Sequence, residues 1–165
     1  EQPVFSNGGS AFQDRAAAFL PHSPSVKVLR SGCYVVHDHG TYQGVSPVPG
    51  LTAAAVVRAL VISAPEAGRV VLNAGKRELA YDAGLPVIVA RYRNGEVLPS
   101  GADAAVPSAT VTRLFDHHAI VDDAEDLQVG DIVDLGISHP CSVFDRWREV
   151  VAVGDDAVET WRTAF

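Results

Sequence analysis

Methionine is absent from this 165-residue sequence, and cysteine occurs only twice, as Cys33 and Cys141. Two cysteines are too few for a disulfide scaffold, and they suit a reducing, cytoplasmic setting in which a thiolate can act as a metal ligand. The sequence starts at Glu1 and shows neither the basic region nor the apolar region of a signal peptide. We therefore expect it to be a piece of a longer product.

Long apolar runs and an excess of positive charge are also missing. No stretch stays apolar over the roughly 20 residues that a membrane-spanning helix needs, so we expect no membrane partner. The formal net charge of -7 argues against a nucleic-acid partner, because binding phosphates requires a clustered basic surface. Hydrophobic residues make up 47% of the chain, which is enough for one globular domain with a core.

Short β-branched runs dominate the sequence after residue 25. Gly, Pro, Asp and Asn separate them, and the segment Arg-Asn-Gly-Glu at 93–96 is typical of a tight hairpin turn. The predicted strands are 26–29, 34–37, 56–63, 70–72, 86–92, 110–115, 119–121, 132–135 and 150–153. Many short strands at close spacing indicate a mainly β fold, as a barrel or sandwich-like domain, and 99–107 is expected to be an exposed loop.

Residues 1–25 have a different pattern. A short predicted strand at 3–5 runs into a glycine loop, and apolar residues at helical spacing predict a helix over 11–20. We interpret 1–25 as the tail of an α/β unit and 26–165 as a β-domain. Gly8, Gly9 and Ser10 precede the helix, where free backbone N–H groups and the positive helix end suit a phosphate. A plain strand-to-helix turn has the same pattern, so both interpretations stay open here.

His139 and Cys141, separated by Pro140, form a candidate metal site. In an extended strand, residues two apart point to the same face, so an imidazole and a thiolate could hold one ion. One nitrogen and one soft sulfur ligand suit Zn²⁺, and two protein ligands leave positions open for water or substrate. The alternative is a buried cysteine beside a surface histidine.

Other titratable residues are less specific. The histidine-containing segments 37–39 and 117–118 could supply acids, bases or ligands near neutral pH, although solvated loop residues have the same pattern. Lysine occurs only as Lys27 and Lys76. Lys76 could bind a carbonyl cofactor, or it could be a turn lysine paired with Glu78 or Asp82.

Taken together, segments along the whole sequence resemble the bacterial amino-acid deaminases of the D-serine dehydratase-like family. They are GGS at 8–10, LRSGCY at 29–34, HDHG at 37–40, GKR at 75–77, YDAGLP at 81–86, DHH at 116–118, GISHPC at 136–141 and FDRWR at 144–148. The last two segments are the most specific. The related D-threonine aldolases share this layout but have an aspartate in place of Cys141.

The resemblance implies a fold and a set of site residues. Such enzymes have an N-terminal barrel like that of alanine racemase, whose lysine holds pyridoxal phosphate, and a C-terminal β-barrel domain. The loop that binds the cofactor phosphate corresponds to Gly8, Gly9 and Ser10. The zinc-binding pair corresponds to His139 and Cys141.

A reaction is implied as well. In this family, pyridoxal phosphate stabilises a carbanion at Cα of a D-amino acid, and Zn²⁺ polarises the β-hydroxyl for departure, so that D-serine yields pyruvate and ammonia. Tyr34 and His37 are candidate catalytic groups on the substrate side. Neither Lys27 nor Lys76 matches the family's lysine, which we expect upstream of Glu1 in a missing N-terminal barrel segment.

Three functions are therefore open. The first is the C-terminal portion of a pyridoxal-phosphate- and zinc-dependent D-amino-acid deaminase, which we expect to form a homodimer and to be inactive without the barrel. The second is a non-catalytic metal-binding or assembly β-domain, which the absent lysine favours. The third, a metal-only hydrolase, is disfavoured because hydrolytic zinc usually has three protein ligands and the sequence offers two.

Overall fold

The computed structural model describes residues 2–20, 24–98 and 109–164, and strands make up most of the ordered secondary structure. The mainly β fold expected from the sequence is therefore confirmed. The predicted exposed loop at 99–107 lies outside the described residues.

Within those ranges, no helix is long and apolar enough to cross a membrane.

Strands and short helices alternate along the described chain. The strands are β1 (Val4–Gly8), β2 (Val26–Arg30), β3 (Val56–Glu66), β4 (Arg69–Leu72), β5 (Val87–Arg93), β6 (Glu96–Val97), β7 (Thr110–Leu114), β8 (Ala119–Asp122), β9 (Ile132–Gly136), β10 (Glu149–Val153) and β11 (Val158–Arg162). The helices are α1 (Gln13–Ala18) and α2 (Pro140–Phe144), with 3-10 turns at Ser10–Phe12 and Cys33–Val35.

A seven-stranded antiparallel sheet, in the order β6-β5-β9-β3-β4-β8-β7, forms the body of the molecule. The long strand β3 joins its two halves, because its first half pairs with β9 and its second half pairs with β4. A register shift between Val61 and Ser63 of β3 marks a bulge, and bulges bend a strand and increase its twist. The sheet therefore curls around one buried face.

The core lies on the concave face of this sheet. Along β3, Val57, Ala59 and Val61 are buried and the residues between them are more exposed, as expected for a strand with one face in the core. The side chains that are almost completely buried are Val61, Val70, Leu72, Leu79, Val121, Val133, Leu135 and Ile137.

An ion pair on the opposite face ties three neighbouring strands together. Arg58 of β3 donates two hydrogen bonds to Asp134 of β9, at 2.7 and 2.8 Å, and the Tyr92 hydroxyl of β5 donates a third at 2.9 Å. The guanidinium also lies 4.7 Å from the centroid of the Tyr92 ring. Burial alone would raise the pKa of Asp134, but the hydrogen bonds from Arg58 and Tyr92 outweigh it and hold this pKa below its ordinary value.

The N-terminal segment forms a separate two-stranded sheet. β1 and β2 pair in parallel, with Val4 opposite Val26, and α1 connects them. Both strands are exposed along their whole length, although parallel strands are usually covered on both faces. The boundary that we placed at residue 25 thus falls between two strands of one sheet.

Two local predictions were correct and one was wrong. The hairpin turn at 93–96 connects β5 to β6, and helical structure follows the glycine loop as expected. The predicted strand at 34–37 does not form, since Cys33–Val35 is a 3-10 turn and His37 has a positive φ of 54°. Asp38 explains the difference, because its Oδ1 accepts hydrogen bonds from the backbone N–H groups of Gly40 and Tyr42 and so stabilises a local turn instead of a strand.

Replacing Leu135 with alanine tests the position of the core. Leu135 is fully buried, so Leu135→Ala should lower the free energy of unfolding by about 2–5 kcal/mol. The matched variant is Leu85→Ala, because Leu85 is 42% exposed and its loss should cost less than about 1 kcal/mol. Urea denaturation measures both values, and equal losses in the two variants would contradict this core.

The Asp134 ion pair predicts how stability depends on pH. Because the pKa of Asp134 is lowered in the folded state, its contribution is complete above the unfolded pKa of about 4 and disappears as the pH falls through the folded value. Asp134→Asn should destabilise the protein by about 1–3 kcal/mol at pH 7, and the difference from wild type should shrink below about pH 4. Denaturation at pH 7, 5 and 3 measures this difference, with Asp155→Asn as an exposed control. A pH-independent difference would contradict the assignment.

Candidate metal and cofactor site

Three loops meet where β9 runs into α2. His139 occupies the N-cap of α2 with extended backbone angles (φ -155°, ψ 109°), and Pro140 begins the helix. Cys141 therefore lies in the first helical turn, and not in the extended strand that our argument for a shared face of His139 and Cys141 assumed. Proline at the first position of a helix costs no hydrogen bond and has the required φ, which explains why the chain turns helical here.

The structure brings Cys33 to the predicted pair. Its Sγ lies 3.1 Å from Sγ of Cys141, and the ligand atoms of Cys33, His139 and Cys141 all lie within 4.8 Å of one another. This donor set fits a metal ion such as Zn²⁺, which prefers sulfur and imidazole nitrogen. Sequence reasoning missed Cys33. The signal that could have identified it is that both cysteines of this sequence lie in segments that resemble the same family.

Contact between the two thiols changes their acidity. The hydrogen bond with Cys33, followed by burial and the nearby charge of Cys33, raises the pKa of Cys141 to about 11. Cys141 is therefore a protonated thiol near neutral pH when no metal is bound. A metal ion has to displace this proton to bind, so binding releases protons and weakens as the pH falls.

Asp82 orients the imidazole of His139. Oδ2 of Asp82 lies 2.6 Å from Nδ1 of His139, and the Ser142 hydroxyl donates to the same Oδ2 at 3.0 Å. Burial opposes ionisation, but these hydrogen bonds lower the pKa of Asp82 below its ordinary value. With Nδ1 engaged by a carboxylate, Nε2 is the nitrogen available to a metal, the arrangement commonly found around ligating histidines.

Tyr42 links the thiols to the glycine loop. Its hydroxyl interacts with both Cys33 and Ser10, and burial, together with Cys33, raises the pKa of Tyr42 to about 12. Ser10 is buried, and Gly9 has a φ of 115°, which side-chain-bearing residues rarely adopt. The structure thus connects Ser10 of the glycine loop to Cys33 through Tyr42. The sequence contained no signal that singled out Tyr42.

The segment that contains the other candidate residues, Tyr34 and His37, helps to hold the site in place. His37 is buried, and its Nδ1 lies 2.9 Å from the backbone N–H of Asp38, within its own turn. The backbone N–H of His39 donates to Ile137 at 2.9 Å. Burial, partly offset by Asp38, lowers the pKa of His39, so its imidazole is neutral at pH 7. Tyr34 lies half-buried in the 3-10 turn, directly after Cys33.

The two lysines and the second histidine pair lie elsewhere. Lys27 is in the exposed strand β2. Nζ of Lys76 lies 5.7 Å from the centroid of the Tyr81 ring, and the predicted partners of Lys76 are engaged by histidines instead. Glu78 lies 2.7 Å from Nδ1 of His117, and Asp82 contacts His139. His117 therefore fastens the turn at 75–78 to the loop between β7 and β8, and our pairing for Lys76 was wrong.

Comparison with known proteins agrees with this fold. Residues 54–153 match a family described as a putative serine dehydratase domain. No functionally curated protein has a significant sequence match to the chain. A crystal structure of D-threonine aldolase from Filomicrobium marinum is similar, with a TM-score of 0.68 and 22% identity, over 96% of this chain and 40% of that one.

A second similar structure is D-threo-3-hydroxyaspartate dehydratase from Delftia sp. HT23, with a TM-score of 0.67 and 20% identity, over 96% of this chain and 43% of that one. A cysteine-to-alanine mutant of D-threo-3-hydroxyaspartate dehydratase in the metal-free form is also similar, with a TM-score of 0.66 and 19% identity, over 96% and 43% of the two chains. At these identities the likeness establishes the fold alone. The chain spans less than half the length of these structures.

Removing the Asp82 carboxylate tests its orienting role. Outer-shell partners of ligating histidines typically contribute about 10–100-fold to metal affinity, so Asp82→Asn should weaken Zn²⁺ binding by that factor. Asp116→Asn is the matched control, because Asp116 is an exposed carboxylate on the loop between β7 and β8. Competition with a chromophoric chelator measures both affinities. Unchanged affinity in Asp82→Asn would contradict the role, provided that His139→Ala abolishes binding.

Proposed function

Because the chain belongs to the putative serine dehydratase domain family, we propose that it is the C-terminal portion of a pyridoxal-phosphate- and zinc-dependent D-amino-acid deaminase. The proposed reaction eliminates a β-hydroxyl from the substrate and yields a 2-oxo acid and ammonia. One observation carries this proposal. Cys33, His139 and Cys141 form a donor set of two sulfurs and one imidazole nitrogen, and Tyr42 interacts both with this set and with Ser10 of the glycine loop.

Similar enzymes support the assignment of a metal to this donor set. Variants of D-threo-3-hydroxyaspartate dehydratase exist in which a histidine, or a cysteine two positions further along, is changed to alanine, and the cysteine variant is in the metal-free form. His139 and Cys141 have the same spacing. In our proposal they hold Zn²⁺, and the positions that they leave open accept the substrate hydroxyl.

The glycine loop fits the phosphate of the cofactor. Backbone N–H groups at the start of a helical segment favour an anion, and in our proposal Gly8, Gly9 and Ser10 hold the phosphate. When bound, pyridoxal phosphate supplies an electron sink that stabilises a carbanion at Cα of the substrate. Since Tyr42 contacts both Ser10 and Cys33, the phosphate and the metal would be held by one connected set of side chains.

Other residues of this chain have separate roles in the proposed site. Asp82 fixes the imidazole of His139, and Cys141, whose thiol pKa is raised, takes up a metal only by giving up its proton. Tyr34 and His37 are the candidates for substrate-side groups, and in our proposal they lie at the edge of the metal site through their position beside Cys33. Exposed β1 and β2 suit the edge of a larger α/β barrel, which in our proposal supplies the lysine and completes a homodimer.

A second candidate function is a non-catalytic metal-binding or assembly β-domain. The positions of Lys27 in exposed β2 and of Lys76 beside Tyr81 favour it, because neither lysine matches the one that holds the cofactor in the family. Under this alternative the metal would stabilise the fold, and D-amino acids would not react.

Elemental analysis of the purified protein is the primary test. We expect about one Zn²⁺ per chain, lost in the His139→Ala, Cys141→Ala double variant and retained in the His117→Ala control. The protein that carries this chain, supplied with pyridoxal phosphate, should release ammonia and a 2-oxo acid from D-serine or a related β-hydroxy D-amino acid, and none from the L-isomer.

Two results would count against the proposal. Zinc that persists in the double variant would show that these residues do not bind it. Stoichiometric zinc at this site without any turnover of β-hydroxy D-amino acids would favour the non-catalytic domain.

A further inference from the structure

We propose that Cys33 is a third protein ligand, so that the metal is held by one imidazole nitrogen and two thiolates and keeps a single open position. This inference rests on the proposed function in one respect, the binding of a metal by His139 and Cys141. It goes further by assigning a ligand from a distant part of the sequence, 108 residues away from Cys141.

The distances suit a tetrahedral ion. Zinc–sulfur bonds of about 2.3 Å and zinc–nitrogen bonds of about 2.0–2.1 Å place neighbouring ligand atoms roughly 3.5–3.8 Å apart. The two sulfurs lie 3.1 Å apart, and all three ligand atoms lie within 4.8 Å of one another. Changes of up to about 1.3 Å in these separations would therefore bring the three ligand atoms to tetrahedral spacing around an ion.

Cys33 is held at this place by the protein itself. Its carbonyl accepts a hydrogen bond from the backbone N–H of His37 at 2.8 Å, which closes the turn that carries it. The hydroxyl of Tyr42 interacts with its thiol. Thus local backbone structure holds the turn from which the sulfur of Cys33 approaches Cys141.

The two thiols differ in exposure in a way that suits a catalytic ion. Cys33 is 8% exposed, whereas Cys141 is exposed. A buried ligand on the protein side and an exposed one at the surface leave the open position facing outward, where a substrate could enter. Three protein ligands with one open position is the usual arrangement of catalytic zinc, including sites with two cysteines and one histidine.

A purely structural contact between thiols would not explain the neighbouring groups. Asp82 engages Nδ1 of His139 at 2.6 Å and thereby directs the other ring nitrogen, which a packing role for the cysteines does not require. Two thiolates and an imidazole also make a soft donor set. Such a set favours Zn²⁺ or Co²⁺ over Mg²⁺ and Mn²⁺, so the inference specifies the class of metal as well as the ligands.

X-ray absorption at the zinc edge of the wild-type protein, kept under reducing conditions so that no disulfide forms, counts the sulfur ligands directly. We expect two sulfurs at about 2.3 Å. Cys33→Ser should reduce the count to one and weaken zinc affinity at least about 10-fold, since a direct ligand contributes no less than an outer-shell partner. Val35→Ala, an exposed change in the same turn, should keep both sulfurs and full affinity.

The wild-type measurement does not depend on whether a variant folds, and its outcomes separate the two proposals. One sulfur in the wild type, together with loss of zinc in His139→Ala, overturns the role of Cys33 and leaves the proposed function in place. No sulfur ligand, or no zinc uptake at all, overturns both.

Discussion

Two backbone hydrogen bonds just beyond β9 hold the candidate site together. The N–H of His39 donates to Ile137 at 2.9 Å, and the N–H of Thr41 donates to Ser138 at 3.2 Å. They fasten the segment that follows Cys33 onto the residues that precede α2. Ile137 and Ser138 are almost completely buried, and leaving a buried backbone group without a partner costs about 1–3 kcal/mol. The two thiols are thus close together because these hydrogen bonds hold the two segments side by side just after β9.

A metal at this position would couple parts of the molecule that the sheet alone does not join. The turn that carries Cys33, the N-terminus of α2 and, through Asp82, the loop before β5 all meet there. Because the raised pKa keeps the Cys141 thiol protonated without an ion, binding exchanges its proton for a metal–sulfur bond, and the net binding energy stabilises the fold of these loops. Metal occupancy and local order are therefore linked at this site.

Much of the fold could be predicted from the sequence, because it depends on local patterns. The β-branched run at 56–63 and the Asn-Gly turn at 93–96 depend on neighbouring residues, and the structure has a strand and a hairpin turn at these positions. The predicted strand at 34–37 was wrong because Asp38 binds two backbone N–H groups further along the chain, a hydrogen-bonding competition that β propensity does not include. The extended geometry that we assumed for His139 and Cys141 does not form for a similar reason, since Pro140 begins a helix.

By itself, the sequence determined the mainly β character, the family resemblance and the short-range pair of His139 and Cys141, since each depends on residues close together in the chain. Only the tertiary structure decided that Cys33 joins this pair, that Asp82 orients the histidine and that Tyr42 connects the glycine loop to the thiols. These contacts span many residues of the chain, and they exist because strand pairing and loop packing bring distant segments together. No local spacing encodes such a meeting, because its geometry depends on the curl of the sheet and on where each strand ends.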